Sequence, residues 1–250
     1  MPRTPEVRET AVAPPRLTRR AGLRRACPPL PAVPLTAVYL FVLVVTSYLV
    51  RELPPATVQR ILFDSSTNLH QLAIDPLGVL IASAFWISNG HVTPWLVLLG
   101  AVGGYAELRV GTLRAFLVFL AGHAGASLLV AAGLTVGVIT GIAHPSISMM
   151  IDVGPSYGFA ALAAAMIVLC PPRLRWCATF VLVDWLAMGW TNGIGVSAVG
   201  HLLAACIGVG CGALLHARDS RVTPGTSRSV PSPVTVDSEM FGESRQPVNA

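Results

Sequence analysis

Long apolar runs separated by short polar breaks dominate the chain. A helix needs about 20 apolar residues to cross a bilayer. Six runs approach or reach that length: 32–50, 90–110, 113–133, 155–170, 174–191 and 196–217. Prolines such as Pro54-Pro55 and Pro171-Pro172 stand in the breaks, where they end helices. The pattern predicts an all-α polytopic membrane protein with six transmembrane helices.

The segment between the first two runs does not fit a simple span. Its first half is polar and amphipathic, and its second half, 76–87, is apolar but too short to cross. We expect an interfacial or partly submerged first extracytoplasmic loop that packs against the bundle, because irregular backbone at membrane depth must be covered by protein.

Both ends of the chain differ from the apolar core in composition. Residues 1–31 are rich in Pro and Arg, and residues 218–250 are rich in Ser, Pro and Thr. We therefore predict a disordered cytoplasmic arm, a membrane domain over 32–217 and a disordered cytoplasmic tail. The pair Arg19-Arg20 also fits a twin-arginine signal. No small-residue cleavage site follows Val50, so an uncleaved signal anchor is the better interpretation.

Composition and charge exclude an ordinary soluble domain. Only 12% of residues are charged, against roughly 25% in globular proteins, and the mean hydropathy is +0.66. The net charge of +5 could indicate a nucleic-acid partner. Seven arginines, however, precede the first apolar run, and with six spans only Arg51 and Arg60 fall outside the cytoplasm. The positive-inside rule thus predicts cytoplasmic termini in the plasma membrane and no nucleic-acid partner.

The cysteines and histidines do not form a recognisable metal or disulfide pattern. Four of the five cysteines lie in or beside apolar runs, where free thiols are expected. No His-Glu-x-x-His motif occurs. We predict no metal and no cofactor.

Five ionisable residues fall within the predicted spans: His91, Glu107, His123, Asp184 and His201. Such residues usually face the protein interior. With a helix rise of about 1.5 Å per residue, Ser156, His201 and His91 lie about 22, 25 and 27 Å above the cytoplasmic ends of their helices. A bilayer core is about 30 Å thick, so all three reach one level just below the outer face.

A serine and a histidine at one level permit nucleophilic catalysis. The histidine takes the hydroxyl proton, and a second imidazole or an amide stabilises the oxyanion. Ser156 could instead be an ordinary serine near a helix N-cap. His201 shares a face with Ala204 and Gly208, and Gly208 with Gly212 forms a small-residue pair suited to close helix packing. The structural alternative for His201 is a buried imidazole bonded to a backbone carbonyl.

Three motifs together resemble those of the rhomboid family of intramembrane serine proteases, over residues 75–217 and the first helix. They are Gly154-Pro155-Ser156 for the family's Gly-x-Ser, His201-x-x-Ala204-x-x-x-Gly208 for its sixth-helix motif, and Gly103-x-x-x-Glu107-x-x-x-Gly111 for its second-helix end. The resemblance implies a six-helix bundle with a partly submerged first loop. It also implies a catalytic dyad of Ser156 and His201, with His91 assisting the oxyanion. The implied substrate is a transmembrane helix of another membrane protein.

The sequence departs from the family pattern at several positions. Trp95 stands where active members usually carry Asn, and Ala204 replaces a glycine. Leu77-Gly78 replaces a Trp-Arg pair of the first loop, and Pro155 stiffens the serine turn. An alternative is therefore a catalytically inactive rhomboid-like protein that binds client transmembrane helices.

A second alternative is a small transporter with Asp184 and His123 on a proton path, although no internal repeat relates the two halves. The structural interpretation gives the remaining ionisable residues other roles. Glu107 would tie the turn after its helix together through backbone donors. Asp184 would be a neutral, hydrogen-bonded acid, and His123 a packing and hydrogen-bonding residue.

Overall fold

The computed structural model describes residues 32–188 and 195–222, which form nine α-helices. The predicted arm, residues 189–194 and the tail beyond 222 lie outside this part. The helices are α1 Pro34–Glu52, α2 Pro55–Asp64, α3 Leu69–Ile74, α4 Pro76–Ala82, α5 Thr93–Val110, α6 Thr112–Ile139, α7 Ser156–Leu169, α8 Pro172–Met188 and α9 Val196–Val222. Two 3₁₀ helices, Ser83–Phe85 and Pro145–Met149, follow α4 and α6. The predicted all-helical class is confirmed.

Each of the six predicted spans contains one helix: α1, α5, α6, α7, α8 and α9. Three of the described helices, α1, α6 and α9, are long and apolar enough to cross a membrane. Helix α7 has 14 residues, a length of about 21 Å. The count of six crossings therefore stays a prediction.

Some helix boundaries differ from the sequence prediction. Helix α5 begins at Thr93, with Pro94 in its first turn, because proline fits best where no N–H is needed. His91 consequently lies before the helix, and its prediction as part of a span is wrong. Helix α6 continues past 133 to Ile139 because the apolar run contains no breaker there. Helix α9 likewise extends past the predicted end at 217.

The segment 54–87 folds as α2, α3, α4 and the 3₁₀ helix Ser83–Phe85, and its second half packs on α1. The Tyr39 hydroxyl donates to the carbonyl of Ala84 at 2.6 Å, and the Thr46 hydroxyl donates to that of Phe85 at 2.6 Å. These two bonds tie the end of the segment to α1, whereas its extracytoplasmic side and its depth in the bilayer stay predictions.

Helix α7 forms the centre of the bundle, with ten of its 14 residues buried. Helix α9 lies so close to the alanines of this helix that a Cβ placed on Gly208 of α9 would collide with the backbone of Ala161. One placed on Gly212 would lie 2.8 Å from the carbonyl oxygen of Ala165. The small-residue pair of α9 therefore packs on α7, the fourth predicted helix. Helix α8, in contrast, has no buried residue.

Glu107 joins three helix ends. Its carboxylate accepts from the N–H groups of Leu35 and Thr36 at 2.9 Å, and from the hydroxyls of Thr36 and Thr112 at 2.8 Å. The backbone donors thus come from the start of α1, rather than from the turn at Gly111 as predicted. Two N–H groups that a helix start leaves without intrahelical partners are bonded here. We call these joined ends of α1, α5 and α6 the Glu107 end.

Candidate active site

Ser156 is the first residue of α7, at the opposite end of the bundle. Pro155 occupies the N-cap position, so Ser156 lies directly beside the cap, as the structural alternative also expected. Its side chain is partly exposed. The first N–H groups of a helix have no intrahelical acceptor and carry the positive end of the helix dipole. A substrate carbonyl beside Ser156 would therefore find hydrogen-bond donors.

The turn before Ser156 has a special backbone conformation. Gly154 has φ +141°, in a region that residues with a Cβ rarely adopt. Its N–H donates to the carbonyl of Ser83 at 2.9 Å. The first loop therefore holds the turn that carries the candidate nucleophile.

His201, in the second turn of α9, packs against Tyr157, the residue beside Ser156. The two ring centroids are 5.2 Å apart in an edge-to-face arrangement, and the ring centroid of Trp185 lies 4.8 Å from that of His201. Nε2 of His201 is buried and has no hydrogen-bond partner among the described residues. Neither a backbone carbonyl nor the Ser156 hydroxyl is bonded to this atom. The structure therefore brings His201 to the start of α7 without the hydrogen bond of a formed dyad.

Tyr157 also binds Asp152. Its hydroxyl donates to the Asp152 carboxylate at 3.0 Å, while the backbone of Asp152 bonds to Ser66 and Thr67 of the first loop at 2.7 and 3.1 Å. Burial raises the pKa of the Asp152 carboxyl above its usual value, although the hydrogen bonds from Tyr157 and Thr67 oppose the shift. These contacts fix the loop before α7 on the first loop.

His91 lies apart from this cluster. It is exposed in the turn before α5, where its N–H donates to the Asn89 side chain at 3.0 Å. Within residues 32–188 and 195–222, no hydrogen bond or ring contact joins His91 to Ser156 or His201. Trp95, at the position of the family's Asn, packs edge-to-face on Phe159 of α7.

The structure agrees with the prediction for His123 but not with the prediction for Asp184. Nε2 of His123 lies 3.0 Å from the hydroxyl of Ser83, and the side chain is buried. The prediction of a packing and hydrogen-bonding residue is confirmed. Asp184 is exposed on α8 and makes no hydrogen bond to any described residue. The predicted hydrogen-bonded acid is not found, because α8 has no buried residue and the described part of the chain offers Asp184 no partner.

An apolar groove of about 400 Å³ lies between α5, α7 and α8. Its lining includes Tyr105, Phe159, Met166, Leu182 and Trp185. Trp185 belongs both to this groove and to the ring contacts of His201. The groove therefore leads along α8 to the candidate base.

Four contact residues of the site were not predicted from sequence: Ser83, Asp152, Tyr157 and Trp185. Only Tyr157 carried a signal, because it directly follows Ser156. Asp152 is four residues before Ser156. Ser83 and Trp185 come from distant parts of the chain, and hydropathy does not specify which loops meet. Cys170, Cys177, Cys206 and Cys211 are free thiols, as predicted, and Cys27 lies outside the described residues. In the described ranges no group of three His, Cys, Asp or Glu residues could hold a metal ion.

These observations define a helical membrane protein with a serine at a helix start and a histidine on the adjacent helix. The family model described as rhomboid-like protein matches residues 30–221. The chain therefore belongs to the rhomboid-like family. Comparison with curated proteins and with solved structures gave no match.

Proposed function

We propose that this protein is an intramembrane serine endopeptidase that cleaves transmembrane segments of membrane proteins through Ser156 and His201. The observation that carries the proposal is the buried Nε2 of His201, which has no partner among the described residues and lies on a ring packed against Tyr157, the residue after Ser156. An imidazole nitrogen that makes no hydrogen bond leaves its position open to a hydroxyl brought to it with the substrate. Hydrogen bonds of catalytic residues often tighten only when substrate is bound.

In the proposed reaction the Ser156 hydroxyl oxygen attacks the carbonyl carbon of the scissile peptide. Its proton passes to Nε2 of His201. The tetrahedral intermediate collapses as His201 donates this proton to the leaving nitrogen, which leaves an ester on Ser156. Water then attacks the ester carbonyl as His201 takes its proton, and His201 returns that proton to the Ser156 oxygen as the second product leaves.

The oxyanion would be bound by the backbone N–H of Ser156, which is at the first position of α7. We assign His91 as the second donor, following the family motif. Its exposed turn must fold inward over the substrate for the imidazole to reach the oxyanion. The oxyanion site is accordingly completed on substrate binding rather than preformed.

The proposed substrate is a transmembrane helix that enters by the groove between α5, α7 and α8. The apolar lining suits such a helix. Helix α8 has no buried residue, so it can move aside at lower cost than any core helix. Residues that disfavour helix near the outer end of the substrate would ease its extension at Ser156.

We place the protein in the plasma membrane with the Glu107 end in the cytoplasm. Arg109 and Arg114 lie at this end, where α5 ends and α6 begins. At the end of α7, the Arg175 guanidinium donates to the carbonyls of Val168 and Cys170 at 3.0 and 3.3 Å. These arginines fit the positive-inside rule.

Labelling with a fluorophosphonate probe tests the proposal. The full-length protein in detergent should be labelled, and S156A and H201A should both lose the label. His144 and Ser146, which bond to each other at 2.9 Å in the exposed Pro145–Met149 region, provide matched controls, so H144A and S146A should label normally. A folded wild-type protein that takes up no probe would show that Ser156 is not activated.

A second candidate function is the binding of client helices without cleavage. Trp95 packs on Phe159 instead of offering an amide to the oxyanion, and His91 is exposed. In this function the groove binds the client helix, and no cleavage follows. Photo-crosslinking from Leu182 in the groove, compared with Val183 on the exposed face of α8, should capture single-span proteins only at Leu182. Crosslinking without labelling would favour this function.

A further inference from the structure

Ser83 connects three parts of the molecule. It lies in the 3₁₀ helix Ser83–Phe85 and is fully buried. Its carbonyl accepts from the N–H of Gly154, in the turn before Ser156, at 2.9 Å. Its hydroxyl pairs with Nε2 of His123 on α6 at 3.0 Å. A displacement of Ser83 would therefore move the turn that precedes α7.

His123 occupies its position at an energetic cost. Its side chain is 3% exposed, so a polar ring is removed from water. An apolar ring stacked on Phe119, as His123 is, would avoid that cost. Buried polar groups that lower stability in this way are expected at functional sites, where a functional interaction offsets the lost stability. The hydrogen bond to Ser83 is the gain that the structure shows.

The turn at Gly154 needs support from its surroundings. A backbone at φ +141° persists when neighbouring structure fixes it. The described hydrogen bond that holds this glycine is the one to Ser83. Small errors in the position of a nucleophile cost much of its reactivity.

We infer that His123 is a positioning residue, which fixes Ser83 and through it the Gly154 turn that carries Ser156. The inference rests on the proposed function of Ser156. The chain therefore contains two Ser–His relationships with different roles: His201 acts on Ser156 itself, and His123 holds the backbone that presents it.

Two measurements on the full-length protein in detergent test this role. The first is the rate of fluorophosphonate labelling of Ser156. In H123F and S83A it should fall by about tenfold to a hundredfold. The double variant should lose no more than either single variant, because both break one connection. H123Q, whose amide can bond the Ser83 hydroxyl, should recover part of the rate.

The second measurement is amide hydrogen exchange of peptides spanning 152–156. Exchange should accelerate at this turn in H123F and S83A. The matched control is S127A, since Ser127 is also buried on α6 with its hydroxyl unpartnered among the described residues. It should leave both labelling and exchange at the turn unchanged.

The outcomes separate this inference from the proposed function. Unchanged exchange and labelling in folded H123F and S83A would overturn the inference. Equal losses in S127A would also overturn it, because they would indicate a general effect of altering the core of α6. A wild-type protein that is not labelled would overturn the protease proposal, and hydrogen exchange would then decide alone whether His123 holds the turn.

Discussion

The two ends of the bundle treat their polar groups in opposite ways. At the Glu107 end, one carboxylate accepts four hydrogen bonds from α1 and α6. At the other end, which we call the Ser156 end, Nε2 of His201 is buried with no partner among the described residues. Helix α6 takes part in both ends, because Thr112 at its start bonds to Glu107 and its His123 pairs with Ser83 of the first loop.

The contrast separates stability from function. Buried polar groups are normally bonded, and each exception calls for an explanation. A base that must accept a proton cannot have that position filled by a permanent donor. The Ser156 end therefore keeps an unpaired group that lowers stability, while the Glu107 end joins α1, α5 and α6 through a fully bonded carboxylate.

The largest expected change in stability comes from removing the carboxylate at the Glu107 end. E107A should reduce the free energy of unfolding by about 3 kcal/mol or more, because it removes a buried acceptor of several hydrogen bonds and leaves donors unpaired. E107Q should lose less, since its amide oxygen still accepts. Thermal unfolding in detergent measures both. Wild-type stability in E107A would mean that the two ends do not differ as we describe.

The positions of the main helices could be predicted from sequence, because apolar length and proline breaks determine them. The boundary at Thr93 required knowing that Pro94 would start the helix, and this moved His91 out of it. The site contacts could not be predicted in the same way. Ser83 and His123 are 40 residues apart, and hydropathy indicates that a residue is buried but not which residue faces it.

Smaller changes in the free energy of unfolding, of opposite sign, are expected from one substitution at each end. T36V removes a hydroxyl that donates to Glu107 and should cost about 1 kcal/mol. H201F keeps an aromatic ring against Tyr157 and Trp185 while removing the unpaired nitrogen, so we expect a gain of about 1 kcal/mol. Chemical denaturation of both variants gives the comparison. A loss of stability in H201F would show that Nε2 has a partner in solution.

The pH dependence of stability probes the Ser156 end further. Because burial raises the pKa of Asp152 in the folded state, its contribution to stability is fully present below about pH 4 and is lost as pH rises through the folded-state pKa. D152N keeps an acceptor for Tyr157 but does not ionise. The stability of the wild type relative to D152N should therefore fall as pH rises from about 4, and parallel curves would contradict the assignment.

The smallest effect concerns an ion pair at the Glu107 end. Arg114 of α6 lies 3.6 Å from the carboxylate of Asp219 near the end of α9, and both side chains are about half exposed. Exposed ion pairs contribute little, since water and salt screen them. R114Q should therefore change the free energy of unfolding by less than about 0.5 kcal/mol. The ion pair nevertheless links α6 and α9, which also pack together in the buried core. A loss in R114Q comparable to that in E107A would mean that surface charge, rather than the buried carboxylate, holds this end together.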